Sequence, residues 1–105
     1  MPENPIPFNE LAWTEPHKGV REKSYSSKGQ KIRLVEFHDD FIEEDWCIKN
    51  HIGYVLSGTM KIDFKDSELI SYSKGDGLII DDHTPHKVII AEEEQVSLIL
   101  VEQDH

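Results

Sequence analysis

The feature that most constrains the fold is a period-two alternation of polar and apolar residues, which recurs in short segments from Val20 onward. Residues 60–64 read Met-Lys-Ile-Asp-Phe, the pattern of a strand with one face in the core. Short segments rich in Val, Ile and Leu also occur at 31–37, 54–56, 69–72, 78–80, 88–90 and 96–101. No segment has the 3.6-residue period of a long amphipathic helix. The sequence therefore predicts an all-β sandwich or barrel.

Turn signals separate these segments. Ser57-Gly58 follows the apolar run at 54–56 and predicts a turn, as do residues 65–67 and the acidic residues 92–94. Gly75 stands at a sharp break before the strand at 78–80. We expect Gly58 and Gly75 to be required in their turns, because glycine adopts backbone conformations that other residues avoid.

The chain has the length of one domain with an N-terminal extension. Its 105 residues lie within the usual range for a single domain. Residues 1–19 contain four of the five prolines, together with Phe8 and Trp13. We interpret residues 1–19 as an irregular arm that packs its aromatic side chains on the domain, and residues 20–105 as the barrel.

Charge and cysteine content limit the partners and the compartment. The sequence has 11 basic and 21 acidic residues, for a net charge of −10. Such a surface repels nucleic acid and anionic membranes, so neither is expected as a partner. A single cysteine forms no internal disulfide. The N-terminus does not resemble a signal peptide, and no apolar run approaches the ~20 residues of a membrane span. These features predict a cytoplasmic protein.

Four residues with metal-binding side chains lie beside predicted strands. Cys47 and His51 precede the run at 54–56, and His83 and His86 follow the strand at 78–80. In a straight strand, Cys47 and His51 would be ~13 Å apart, so the chain must reverse or bulge near Asn50 for them to share an ion. A thiolate with two imidazoles suits zinc, iron or copper. The spacing by itself fits a small buried thiol and hydrogen-bonded histidines better.

Cys47 could alternatively be a catalytic nucleophile. A reactive thiol needs an electropositive setting that lowers its pKa. The three residues Glu43, Glu44 and Asp45 precede Cys47 and oppose this, unless a metal or His51 compensates. The sequence therefore disfavours this alternative.

Two segments resemble the sequence motifs of the cupin superfamily, and the resemblance extends over roughly residues 31–101. The first motif is H-x-H, three or four residues, E, six residues and G. The segment from Asp45 to Gly58 has its spacing, and Tyr-Val-Leu-Ser-Gly at 54–58 is its most characteristic part. The second motif is G, five residues, P-x-G, two residues and H. Gly75 and His86 occupy its first glycine and its histidine.

The resemblance implies a single antiparallel double-stranded β-helix, or jelly-roll, barrel of the cupin type. Cupins usually hold their metal with three histidines and one glutamate. Here Asp45 and Cys47 stand at the first two histidine positions, His51 at the glutamate position and His83 at a glycine position. The resemblance therefore implies a divalent metal, zinc, iron or copper, held by Cys47, His51 and His86. Asp45 or His83 would be an additional ligand.

Three functions remain open at this stage. The chain could bind a divalent metal and a small polar molecule in the barrel pocket, with or without catalysing a reaction. It could be a metal-free module that binds or senses a small ligand, or a barrel whose site has decayed. Sheet edges need to be covered, and small cupins commonly form pairs through them. We therefore expect a homodimer with Phe8 and Trp13 as interface anchors.

Overall fold

The computed structural model describes residues 5–103 of the chain, and eight strands and one short 3₁₀ turn, Phe8–Glu10, account for most of this range. The strands are β1 (Thr14–His17), β2 (Val20–Ser27), β3 (Gln30–His38), β4 (His51–Phe64), β5 (Leu69–Ser73), β6 (Gly77–Ile80), β7 (His86–Ile89) and β8 (Gln95–Gln103). The predicted all-β class is confirmed. No helix within residues 5–103 is long and apolar enough to span a membrane.

All strand pairs are antiparallel and form two layers that share β4. The first sheet has the order β1-β2-β3-β8-β4-β6, and the second has the order β5-β4-β7. The first half of β4 pairs with β8 and β6, and its second half pairs with β5 and β7. One long strand thus connects the two layers of the barrel.

The predicted turn at Ser57-Gly58 is wrong, because both residues lie inside β4. The register between β4 and β8 shifts between Val55 and Ser57, which marks a bulge. Gly58 has a φ of +80°, and a Cβ atom there would lie 1.8 Å from the carbonyl oxygen of Gln95. A bulge of this kind bends a strand, here at the point where β4 passes from one sheet to the other. Gly58 is therefore required, as expected, but it lies in a bulge rather than in a turn.

The other predicted turns are present. Asp66 and Glu93 have positive φ in the turns at 65–67 and 92–93, and Gly75 has a φ of +93° in the turn before β6. A Cβ at Gly75 would meet no atom within 4 Å, so the requirement there is conformational alone.

The N-terminal arm is more regular than predicted. The prediction of irregular structure is wrong for Thr14–His17, which pairs with β2 as β1, because hydrogen bonds to an adjacent strand outweigh the local effect of Pro16. Trp13 lies 4.0 Å from the guanidinium carbon of Arg21 and 4.9 Å from Lys23 Nζ, measured to the ring centroid. The division into an arm at 1–19 and a barrel at 20–105 stays a prediction. Residues 1–4 and 104–105 lie outside the described range.

The core fills the space between the two layers. Side chains of the first sheet, such as Val35, Val96 and Leu98, meet Met60 and Ile62 from the second half of β4, and all five are almost fully buried. Burying a side chain of this size stabilises the fold by about 1.5–3 kcal/mol. Apolar residues therefore occupy most inward positions of the strands. A polar residue at an inward position is an exception that calls for a partner or a function.

Candidate metal centre

Cys47, His51 and His86 lie together on the inner side of the barrel. Cys47 and His86 form an isolated bridge in which each backbone N–H donates to the other's carbonyl oxygen, at 2.9 and 3.0 Å. His51 is the first residue of β4, after an irregular link at 48–50. One ligand atom from each of the three residues lies within 4.8 Å of the others. The distance between Cys47 Sγ and His51 Nε2 is 3.7 Å.

Both imidazoles are buried, and each has its Nδ1 beside an oxygen. His86 Nδ1 donates a hydrogen bond to the Thr84 carbonyl oxygen at 2.8 Å. His51 Nδ1 lies 2.9 Å from Glu102 Oε2, although the contact is too poorly aligned for a well-formed hydrogen bond. Since carbonyl and carboxylate oxygens only accept, the proton of each neutral ring sits on Nδ1. Each Nε2 then has a free lone pair, the arrangement found in metal-binding histidines.

Ion pairs between buried charged side chains hold Glu102 in place beside His51. Arg33 donates through Nη1 to Glu102 at 2.7 Å and through Nη2 to Glu22 at 2.6 Å. The side chains of Arg33, Glu22 and Glu102 are all less than one-fifth exposed. Burial of charges is costly unless they are paired, and here each is paired. The charge of Glu102 is therefore compensated on both sides, by Arg33 and by His51.

Glu22, Arg33 and Glu102 were not predicted from the sequence as members of the site. Their signal was present in the strand pattern: position 102 continues the inward series 96, 98 and 100 of β8, and position 33 precedes the inward positions 35 and 37 of β3. A charged residue at an inward strand position needs a partner within the barrel. That requirement would have identified the three residues as members of one polar group.

The pKa values of the cluster are strongly coupled. Hydrogen bonds from His51 and then His86 lower the pKa of Cys47 to about 6, against the opposite effect of burial. Burial is the largest single influence on His51 and lowers its pKa, but Cys47 and Glu102 together outweigh it and raise the pKa to about 9. Burial likewise lowers the pKa of His86, and Cys47 and the Thr84 carbonyl reverse this to a net rise. The two imidazoles, rather than the acidic residues 43–45, thus determine the pKa of the Cys47 thiol.

Asp45 and His83, the two predicted additional ligands, are not part of this cluster. Both are exposed. His83 lies in the loop between β6 and β7 with a φ of +60°, and its backbone N–H donates to the Ile48 carbonyl at 2.7 Å. Within residues 5–103, Cys47, His51 and His86 are the group that the structure brings together for a shared ion.

The cluster adjoins a cavity of about 330 Å³. The three cluster residues line this cavity together with the charged residues Glu22, Arg33 and Glu102. The rest of the wall is mainly apolar and includes Phe37, Phe41, Met60 and Leu98. The volume is at the lower end of the range for small-molecule pockets. The cavity therefore has room for a small molecule with both polar and apolar parts.

The donor set fits a transition metal. Zn–S bonds are ≈ 2.3 Å and Zn–N bonds ≈ 2.0–2.1 Å, so sulfur and nitrogen in a tetrahedral site are about 3.6 Å apart. The observed distance of 3.7 Å between Cys47 Sγ and His51 Nε2 is close to this value. A thiol with a low pKa and two rings whose Nε2 atoms become available once they lose their protons supply the soft and borderline donors that zinc, iron and copper accept.

Comparison with solved structures shows the same fold in several proteins, one of which is a polyketide cyclase. The polyketide cyclase RemF from Streptomyces resistomycificus has a TM-score of 0.81 at 14% identity, over 98% of this chain and 80% of that chain. KdgF from Halomonas sp. has a TM-score of 0.71 at 20% identity, over 92% of each chain. The iron(II) form of HppE has a TM-score of 0.72 at 16% identity, over 90% of this chain and 57% of that chain. At these identities the likeness concerns the fold.

The family assignment comes from the sequence. The comparison with curated proteins found no match. The family model described as "Cupin domain" matches residues 48–102, a range that contains His51, His86 and Glu102 and amounts to more than half of the chain. Together with the shared fold, this match establishes that the chain belongs to the cupin family.

Proposed function

We propose that the protein binds a divalent transition metal through Cys47, His51 and His86, and that a small polar molecule occupies the adjoining cavity. The observation that carries this proposal is that one ligand atom from each of the three residues lies within 4.8 Å of the others. His86 Nδ1 faces the Thr84 carbonyl oxygen and His51 Nδ1 lies beside the Glu102 carboxylate, so each neutral ring would offer the lone pair of its Nε2 to the metal. Zinc, iron and copper all suit a thiolate with two imidazoles.

Three protein ligands leave a coordination position for water or a second molecule, as catalytic metal sites require. A bound metal would supply Lewis-acid chemistry to a molecule in the cavity. The chain's own residues would do the rest. Glu102 holds the His51 ring in orientation, and Arg33 holds Glu102. Apolar walls such as Phe37 and Met60 limit the access of water.

A metal-free binding module is the second candidate, and the charge balance of the cluster favours it. With the pKa of Cys47 at about 6 and that of His51 at about 9, thiolate and imidazolium coexist between these values and neutralise each other. Such a cluster needs no ion to be stable. A decayed site remains the third alternative.

We also propose that the protein is cytoplasmic and has no nucleic-acid partner.

Metal analysis of protein purified without a histidine tag separates these candidates. We expect one zinc or iron per chain after reconstitution and removal of free metal, and none in the His51→Ala/His86→Ala variant. The matched control is His38→Ala/His83→Ala, which also removes two histidines but leaves the cluster intact. It should bind as the parent does. A parent that retains no metal would favour the metal-free candidate.

A further inference from the structure

Lys31 occupies an inward position of β3. Successive side chains of a strand point to opposite faces, and the buried residues Val35 and Phe37 show that the odd-numbered positions of β3 face inward. Lys31 accordingly lines the cavity. By contrast, Lys61 and Lys87 each stand between two inward-facing neighbours and therefore point outward. A charged group on the inner side of the barrel calls for a partner of opposite charge.

The strand register places Lys31 in the same row as the candidate metal centre. Lys31 pairs with Glu102 across β3 and β8. Glu102 in turn lies opposite His51, since the next pair along the two strands is Val101 with Ile52. Neighbouring strands are ≈ 4.7–4.9 Å apart, so the backbones of Lys31 and His51 are separated by about 10 Å. A molecule of a few atoms beside His51 is therefore within reach of the ammonium group of Lys31.

The other charged groups around the cavity are already engaged. Arg33 is paired with two glutamates, and the carboxylate of Glu43 accepts a hydrogen bond from a backbone N–H of β7 at 2.8 Å. Lys49, in the link before β4, also lines the cavity. Within residues 5–103, no carboxylate forms an ion pair with Lys31 or Lys49. Two ammonium groups are thus available to a ligand.

The charge of the cavity also favours an anion. The chain has 21 acidic and 11 basic residues, yet the cavity is lined by equal numbers of the two, namely Glu22, Glu43 and Glu102 against Lys31, Arg33 and Lys49. A divalent metal held by one thiolate and two neutral imidazoles adds one net positive charge. A singly charged anion would neutralise the loaded cavity, and a local positive potential attracts such an ion even to an acidic protein.

We propose that the ligand of the cavity is a small monocarboxylic acid whose carboxylate is bound by Lys31 and Lys49. This inference rests on the proposed function, because the other polar end of the acid, such as a hydroxyl group, would lie at the metal cluster. Its hydrocarbon part would contact the apolar wall at Phe37 and Phe41. A phosphate monoester fits less well, since it carries a charge of about −1.5 to −2 at neutral pH.

Isothermal titration calorimetry of the zinc-reconstituted full chain tests the inference with two pairs of probes. Each pair consists of a hydroxy acid and its neutral amide of nearly the same shape: salicylate with salicylamide, and lactate with lactamide. At least one acid should bind about 10-fold or more tightly than its amide, because hydrogen bonds between charged groups are stronger than neutral ones. Lys31→Gln should abolish most of this preference. Lys61→Gln, which changes an outward lysine of β4, is the matched control and should retain it.

Zinc content, measured on the same samples, separates this inference from the proposed function. Lys31→Gln should hold as much zinc as the parent, because Lys31 supplies no metal ligand, and thermal melting confirms that each variant is folded. A parent that binds neither acid more tightly than its amide would overturn the carboxylate assignment, whether or not it holds zinc. A preference that persists in Lys31→Gln/Lys49→Gln, or that is lost equally in Lys61→Gln, would also overturn it. A preference that depends on Lys31 in a parent without zinc would support the carboxylate site and contradict the metal centre alone.

Discussion

Two sets of ligand-type residues lie close together in the sequence but differ completely in their surroundings. Cys47 and His86 are joined by a backbone bridge and meet His51 on the inner side of the barrel. Asp45 is two residues from Cys47, and His83 is three residues from His86, yet both are exposed. A cupin-like spacing therefore selects candidate ligands, whereas strand pairing and inward position decide which of them can share an ion.

The largest effect should come from removing an imidazole of the inner set. His51→Ala or His86→Ala leaves two protein donors, so we expect stoichiometric zinc binding at micromolar concentration to be lost. The loss should exceed the roughly 10–100-fold cost of changing a residue that only supports a ligand. Equilibrium dialysis against zinc measures it. Stoichiometric metal in the double variant would contradict the assignment.

The metal affinity should keep rising to a higher pH than is usual for histidine ligands. Metal ligands must be deprotonated, and the pKa is about 6 for Cys47 and about 9 for His51 in the metal-free protein. Affinity should therefore rise as the pH passes 6, continue to rise up to about pH 9 and then level off. An ordinary histidine, with a pKa of ≈ 6.5, would give a plateau near neutrality.

Competition with a chelator of known affinity, repeated across this pH range, measures the profile. A plateau that is already complete at about pH 7.5 would show that His51 is not the last ligand to lose its proton.

A smaller effect is expected from Glu102→Gln. Glutamine is similar in shape but loses the negative charge beside His51 Nδ1 and towards Arg33. Removal of such a carboxylate partner typically costs 10–100-fold in metal affinity, and the pH at which binding levels off should fall because Glu102 no longer adds to the rise in the pKa of His51 that Cys47 also causes. Glu68→Gln, in an exposed turn, is the control and should bind as the parent does. An unchanged pH profile in Glu102→Gln would exclude this role for Glu102.

The smallest effects should come from the exposed set. His83→Ala and Asp45→Ala remove side chains that lie outside the cluster, so we expect metal affinity to change by less than about threefold, within the range of ordinary surface substitutions. Isothermal titration calorimetry of both variants beside the parent measures this. A loss as large as that in His86→Ala would mean that the loop between β6 and β7 supplies a ligand when metal binds.

The sequence predicted β3 to β8 because most of them alternate or form short apolar runs, as residues 60–64 do. It did not predict β1 or β2, because their residues are mostly polar and show no apolar alternation. It failed at Gly58, since Ser-Gly is a common turn signal and only the pairing of β4 with β8 shows that the strand continues through a bulge. The grouping of Cys47, His51 and His86 followed from the resemblance to cupins. Glu102 was missed because its proximity to His51 depends on the register of two strands far apart in sequence.

The most direct test of the central claim is the absorption spectrum of the protein reconstituted with cobalt(II), compared between the parent and Cys47→Ser. Cobalt(II) occupies zinc sites and gives a thiolate-to-metal charge-transfer band in the near ultraviolet only when sulfur is a ligand. We expect this band to saturate at one cobalt per chain in the parent and to be absent from Cys47→Ser, whether or not cobalt(II) still binds to the two histidines. A parent that binds no cobalt, or binds it without the charge-transfer band, would contradict the proposed centre.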